Sequence, residues 1–280
     1  MATYRWRGDE IWWERVGSGP GLVLCHGTPW SSIVWDRTMD QFANHFTVHR
    51  FDLLGFGRST KREGQDVSLA AQANLLAALL DHWQLDRPNV IAHDIGGAVA
   101  LGALLRHDAA FASLTLVDVV ALAPWGSPFF SLVGDHEDVF QQLPAPMHRA
   151  LLDAYVLGAA HRDLPDGTLE RLTSPWHGEE GQAAFYRQIA QADQADTDDL
   201  EPRYSELDVS VHIIWGARDP WVPVDRAHQL HSRIPGSTLQ VIDDVGHLVP
   251  LEAADELAAA LESVLLADTD RGAPAPTGTG

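Results

Sequence analysis

Cysteine is nearly absent: Cys25 is the only one in 280 residues. A lone thiol excludes an intramolecular disulfide framework, so burial must hold the core, and a reducing, cytoplasmic setting is expected. Positive charge is scarce too, with 19 Lys and Arg against 39 Asp and Glu, a net charge of −20. A surface that acidic speaks against nucleic acid and against anionic membranes as partners. No stretch is apolar over the length that a bilayer span needs, and Met1–Trp6 lacks the apolar run of a signal peptide. No metal and no cofactor are expected. What remains is a chain that is 45% hydrophobic, enough for one large core with room for an inserted subdomain.

Short apolar runs alternate with helical patterns. Tyr4–Arg7 and Ile11–Glu14 flank Gly8-Asp9, a hairpin signal. Leu22–Cys25 predicts a short buried strand, with Cys25 as core filler, and helix-like sequence follows around Trp35–Phe46. Thr47–Phe51 predicts the next strand; Ser68 is placed to cap a helix running to about Trp83. Val90–Ala92 and Leu114–Val117 predict two more strands. From 121 to 205 the pattern changes to helical segments without a strand, which predicts an inserted helical cap. Strands resume at Val211–Trp215 and Leu239–Ile242, around a helix near Val224–Ile234, and Pro250–Leu266 predicts a last helix. The core is thus expected over 1–120 and 206–266, and the Asp/Thr/Gly/Pro/Ala tail 267–280 is expected to be disordered. Such alternation predicts a mostly parallel sheet covered on both faces, with ligands beyond the carboxyl ends of its strands.

One stretch organises the rest. Val90–Ala100 predicts a strand, a tight turn through Gly96 and Gly97, and a helix, with Asp94 at the tip. Asp219 in Trp215-Gly216-Ala217-Arg218-Asp219-Pro220 and His247 in Gly246-His247 follow later strands. Together with His26-Gly27-Thr28-Pro29, these motifs resemble the α/β-hydrolase family, whose order is nucleophile, acid, histidine. The resemblance covers roughly 20–120 and 205–265. It implies an eight-stranded, mostly parallel sheet flanked by helices, with Asp94 in place of the usual serine and Ala92 in place of the first glycine of the elbow.

An aspartate at the elbow changes the chemistry. A carboxylate is ionised at neutral pH and can displace a leaving group at an alkyl carbon, forming an ester. The resemblance then implies that His247 activates water against that ester, that Asp219 orients His247, and that the N–H groups of Thr28 and Ile95 hold the oxyanion. Asp118, closing the strand Leu114–Val117, is the alternative acid. An aspartate at a strand end is by itself more often a turn or cap residue.

The Asp-nucleophile branch resembles epoxide hydrolases and haloalkane or haloacetate dehalogenases. An epoxide leaves as an alkoxide and needs an acid; a halide needs N–H donors. Dehalogenases of these two kinds carry Trp or Arg directly after the nucleophile, where this chain has Ile95. Gly181–Gln188 is similar to the stretch that carries a ring-opening tyrosine in epoxide hydrolases, which makes Tyr186 the expected acid, with Tyr155 the only tyrosine between the predicted cap start and it. Trp176-His177 keeps halide binding open. The expected pocket comprises His26, Trp30, His93, Trp125, Tyr155, Trp176, His177 and Leu248. The leading expectation is hydrolysis of an apolar epoxide by water, with dehalogenation second and a cofactor-free lyase or a ligand receptor behind them. A homodimer is an open option for its assembly.

Overall fold

The computed structural model describes residues 1–271, without the side chains of 267–271. Its eight strands form one sheet in the order β1-β2-β4-β3-β5-β6-β7-β8. The strands are β1 (Ala2–Trp6), β2 (Asp9–Gly17), β3 (Gly21–Cys25), β4 (Thr47–Phe51), β5 (Asn89–His93), β6 (Ser113–Val117), β7 (Ser210–Gly216) and β8 (Thr238–Ile242). The hairpin β1–β2 and the β2–β4 pairing are antiparallel, and every later pairing is parallel. Hairpin signals produce the first, and helical crossovers force the second.

The central strands β5 and β6 are buried at every residue. That is the expected outcome of near-continuous apolar sequence sandwiched between helices. Helices α1 (Asp36–Phe42), α2 (Leu69–Trp83) and α3 (Ile95–His107) connect the first strands. Ser68 caps α2 through the Ala71 N–H at 3.2 Å, and Leu75, Leu76, Leu79 and Leu80 of that helix are buried. Helix α1 ends at Phe42, short of the expected Phe46, because the chain turns there with Phe46 N–H on the Phe42 carbonyl.

Between β6 and β7 the described residues hold helices only: α4 (Pro128–Asp135), α5 (Glu137–Gln141), α6 (Ala145–Leu157), α7 (Thr168–Thr173), α8 (Gly178–Ala190) and α9 (Ala195–Asp198), with short 3₁₀ turns. Helix α10 (Asp225–Arg233) precedes β8. The stretch expected as one terminal helix is two, α11 (Val249–Glu252) and α12 (Ala254–Arg271), broken at Ala253. The cause is Glu252, whose carboxylate accepts the N–H groups of Gly246, Leu248, His161 and Arg162 and so pins the first turn to the loops beside it. Helix α12 also continues past residue 266, so 267–271 are helical where disorder was expected; 272–280 lie outside the described residues. Cys25 is buried in β3, and burial pushes its thiol up, which fits a core filler. No helix among the described residues is long and apolar enough to cross a membrane, and none of their side chains cluster as a metal site.

Candidate active site

The site lies where β3, β5, β7 and β8 run out at their carboxyl ends. Asp94 follows β5 directly and itself makes the sharp reversal, at φ +56° and ψ −128°. The turn was expected to rest on Gly96 and Gly97, but both sit inside α3 without positive φ. Gly96 is needed for close approach instead: a Cβ there would meet the His26 carbonyl oxygen at 2.6 Å. Holding a non-glycine residue in this region costs about 1–3 kcal/mol, which the surrounding core must offset. The Asp94 backbone is fixed by Gly97 and Val120 N–H groups, each 3.0 Å from its carbonyl oxygen.

The Asp94 carboxylate, 3% exposed, is held at both oxygens. Oδ1 accepts the Thr28 N–H at 2.6 Å, and Oδ2 lies 3.2 Å from His247 Nε2. His247 Nδ1 in turn lies 2.8 Å from Asp219 Oδ2, and Asp219 Oδ1 accepts the Trp221 and Val222 N–H groups at 2.7 and 2.9 Å. The structure therefore brings Asp94, His247 and Asp219 into one chain of contacts. Asp118 does not join it. Its Oδ1 accepts the Gly216 N–H of the neighbouring strand at 2.8 Å, and its Oδ2 has no partner among the described residues. Burial, reinforced by Asp219, pushes the Asp118 carboxyl well above the usual range.

Burial works against charging His247, but Asp219 and Asp94 outweigh it and hold the imidazolium well above the usual histidine range. Both ring N–H groups then donate, one to each carboxylate. His93 stands behind this ring, 4.9 Å away between centroids, and donates Nε2–H to the His247 carbonyl at 2.8 Å. Burial first, then the His247 charge, lowers His93 to about 3. In the unfolded chain this group titrates near the ordinary 6.5, so the unfolded state takes up the proton first. Stability is full above about pH 6.5 and falls as the pH drops towards 3, at up to about 1.4 kcal/mol per unit for this group. The urea midpoint should therefore fall from pH 7 to pH 5, and His93→Gln should flatten part of that slope; an unchanged slope would refute the assignment.

A cavity of about 150 Å³ opens over Asp94, lined also by Thr28, Ile95, Trp125, Tyr155 and Trp221. Of the expected pocket, Trp125 and Tyr155 line it. Trp125 has its indole N–H committed to Thr197 Oγ1 at 2.7 Å. The Tyr155 ring stacks on Trp221, 4.5 Å between centroids, and its hydroxyl has no hydrogen-bond partner among the described residues. Trp30 is buried behind Trp221, stacked at 5.6 Å, with its indole N–H unpartnered. The others lie away from the cavity. His26 ties loops together, with Nδ1 on the Gly27 carbonyl and Nε2 accepting the Leu53 N–H. Trp176 donates its indole N–H to the Pro29 carbonyl at 2.7 Å. His177 sits at the start of α8, and Leu248 is buried as the N-cap of α11.

Tyr186 is placed differently from expectation. It is fully buried, and its hydroxyl pairs with His148 Nδ1 of α6 at 2.9 Å, outside the cavity. Sequence reasoning missed Trp221 and Val222, which line the cavity just after Asp219, and Gln188, whose Oε1 accepts the Thr28 hydroxyl at 2.8 Å. The nearness of Trp221 to the expected acid was the available signal.

Gly27 shows how tightly Asp94 is seated. A Cβ there would fall 2.2 Å from Asp94 Oδ1 and 2.3 Å from its Cβ. Gly27→Ala should displace the carboxylate and lower turnover on the order of 10²-fold with the far-ultraviolet circular dichroism unchanged. Wild-type turnover in a folded variant would contradict this packing.

The family described as the alpha/beta hydrolase fold matches residues 20–254. The chain belongs to the α/β-hydrolase family. It is an enzyme of that class, with the family's eight-stranded, mostly parallel sheet. Among solved structures, an α/β-hydrolase fold protein from Burkholderia ambifaria is 44% identical, with a TM-score of 0.91 over 94% of this chain and 97% of that one. An uncharacterized protein of Mycobacterium tuberculosis is 30% identical over 83% of this chain and 71% of its own length. The epoxide hydrolase CorEH superposes with a TM-score of 0.80 over 95% of this chain and 98% of that one, at 20% identity, a likeness of fold alone.

Proposed function

We propose that this α/β-hydrolase opens an apolar epoxide through a covalent ester on Asp94. The observation that carries the reading is the pairing of Asp94 with Tyr155 across one small cavity. Burial, with a contribution from the Asp94 charge, pushes the Tyr155 hydroxyl well above its ordinary range, so it is protonated and free to donate. The apolar wall of Val120, Trp125, Phe130 and Trp221 suits an apolar substrate.

The steps follow from the contacts. Asp94 Oδ2 attacks an epoxide carbon, the carbon–oxygen bond of the ring breaks, and the Tyr155 hydroxyl protonates the departing oxygen. Esterification removes the Asp94 charge and with it one of the two groups that hold the His247 proton. His247 can then return that proton, through solvent, to the Tyr155 phenolate left by ring opening, and the neutral ring takes one from water. Hydroxide adds to Asp94 Cγ, and the negative charge develops on Oδ1, already 2.6 Å from the Thr28 N–H. Ile95, the first residue of α3, has a backbone N–H free of helical bonding and is the proposed second donor. Collapse breaks the Cγ–Oδ2 bond, the departing alkoxide takes the proton held by His247 to complete the diol, and the Asp94 carboxyl passes its own proton back to the ring, which Asp219 holds in place throughout.

A second reading rests on Trp30, whose buried indole N–H, behind Trp221, has no partner among the described residues and is a candidate halide donor. A paired screen separates the two. Styrene oxide should give the diol, and 1-bromobutane should release no bromide. Bromide release without diol formation would overturn the epoxide reading in favour of dehalogenation.

A further inference from the structure

A second cavity, of about 940 Å³, lies away from Asp94, between the Arg62–Gly64 loop and the helices α4, α5 and α8. Ala183 and Arg187 of α8 and Gln191, its C-cap, line it at one-turn spacing, so they share a face. Gln191 is committed, its Oε1 accepting the Val67 N–H and its Nε2 donating to the Gln65 carbonyl. Ala183 is small and leaves room. Between them Arg187 is only 7% exposed, and its guanidinium has no hydrogen bond or ion pair among the described residues, with Nη1 fully enclosed. The other guanidinium of the lining, that of Arg62, is already held by Asp9 through Nε at 2.7 Å and Nη2 at 3.1 Å.

A buried guanidinium without a partner is costly, and its planar fork of donors matches a carboxylate. The rim carries the opposite sign: Glu63, Asp135, Glu137, Asp138, Glu179 and Glu180 all line the same cavity. A bare anion would be repelled at the mouth, and a bare cation would meet Arg187 at the floor. One chemistry satisfies both charges. We infer that this cavity binds a small zwitterion, an amino acid with a basic side chain, with its carboxylate on Arg187 and its ammonium groups against the acidic rim.

The experiment needs no turnover. Titration calorimetry with L-lysine as the probe should give saturable binding, weakened at least about tenfold in Arg187→Gln and in the exposed double variant Glu179→Gln/Glu180→Gln. Acetate and putrescine, each carrying one sign of charge, should bind at least about tenfold more weakly than L-lysine. Without ligand, Arg187→Met should raise Tm, because it removes an unpaired buried charge. Lysine binding that is no better than acetate, or that is unchanged in the rim double variant, would overturn the zwitterion assignment. A fall in Tm for Arg187→Met, together with no lysine binding to the wild type, would assign Arg187 to packing and overturn the site.

Discussion

His247→Gln is expected to halt turnover after one chemical event and to leave the substrate attached to Asp94. The first step needs only the carboxylate, the epoxide carbon and the Tyr155 proton. The second needs a base, and glutamine cannot take a proton from water. Steady-state turnover should fall on the order of 10³-fold, within the range seen for a lost general base. Intact-mass spectrometry of the variant with styrene oxide should show one added substrate mass, and the adduct should be absent in Asp94→Asn. In wild-type enzyme turning over in heavy-oxygen water, label should accumulate in the Asp94 carboxylate, because hydroxide adds to Cγ. Diol formation without label in Asp94 would mean direct attack of water on the epoxide, and the ester mechanism would be lost.

The same geometry gives this step its timing. In the resting site, the raised affinity of His247 for its proton depends on two carboxylates, Asp219 at 2.8 Å and Asp94 at 3.2 Å. Only one of those charges survives esterification. The base is thus switched on by the intermediate it must hydrolyse. Asp118 is turned to the Gly216 N–H and makes no hydrogen bond to His247, so it does not replace the missing charge.

What was legible in the sequence was whatever is decided locally or by chain order. Strand, elbow and helix around Asp94 follow from apolar runs and small residues, and the order Asp94, Asp219, His247 follows from the loops after successive strands. Contacts between distant elements were not legible. Asp118 and Asp219 both close strands, and nothing local says that the first is drawn to a neighbouring strand's N–H while the second reaches His247. The cap was expected only as helical segments, and that pattern could not say which face of α8 meets the Thr28 loop. Gln188 does so through Thr28, while Tyr186 turns to His148. The break at Ala253 was hidden for the same reason, since it depends on four N–H groups that converge on Glu252 from two separate loops.

The choice between the two tyrosines leads to the second large effect. Tyr155→Phe should cut diol formation on the order of 10²-fold or more, since the alkoxide then leaves without a proton donor. The ring still fills its place against Trp221, so folding should be unaffected. Tyr186→Phe should behave in the opposite way: little change in turnover, but about 1 kcal/mol of stability lost, because His148 Nδ1 is left without its partner in a buried setting. The two variants differ from wild type by one oxygen each, so any difference between them reflects where that oxygen sits. A substrate with a good leaving group sharpens the comparison. An epoxide activated by an electron-withdrawing ring substituent depends less on protonation, so it should recover part of the rate lost in Tyr155→Phe. Equal losses for both epoxides would place Tyr155 in substrate positioning, and loss of activity in Tyr186→Phe with Tyr155→Phe unaffected would return the acid role to α8.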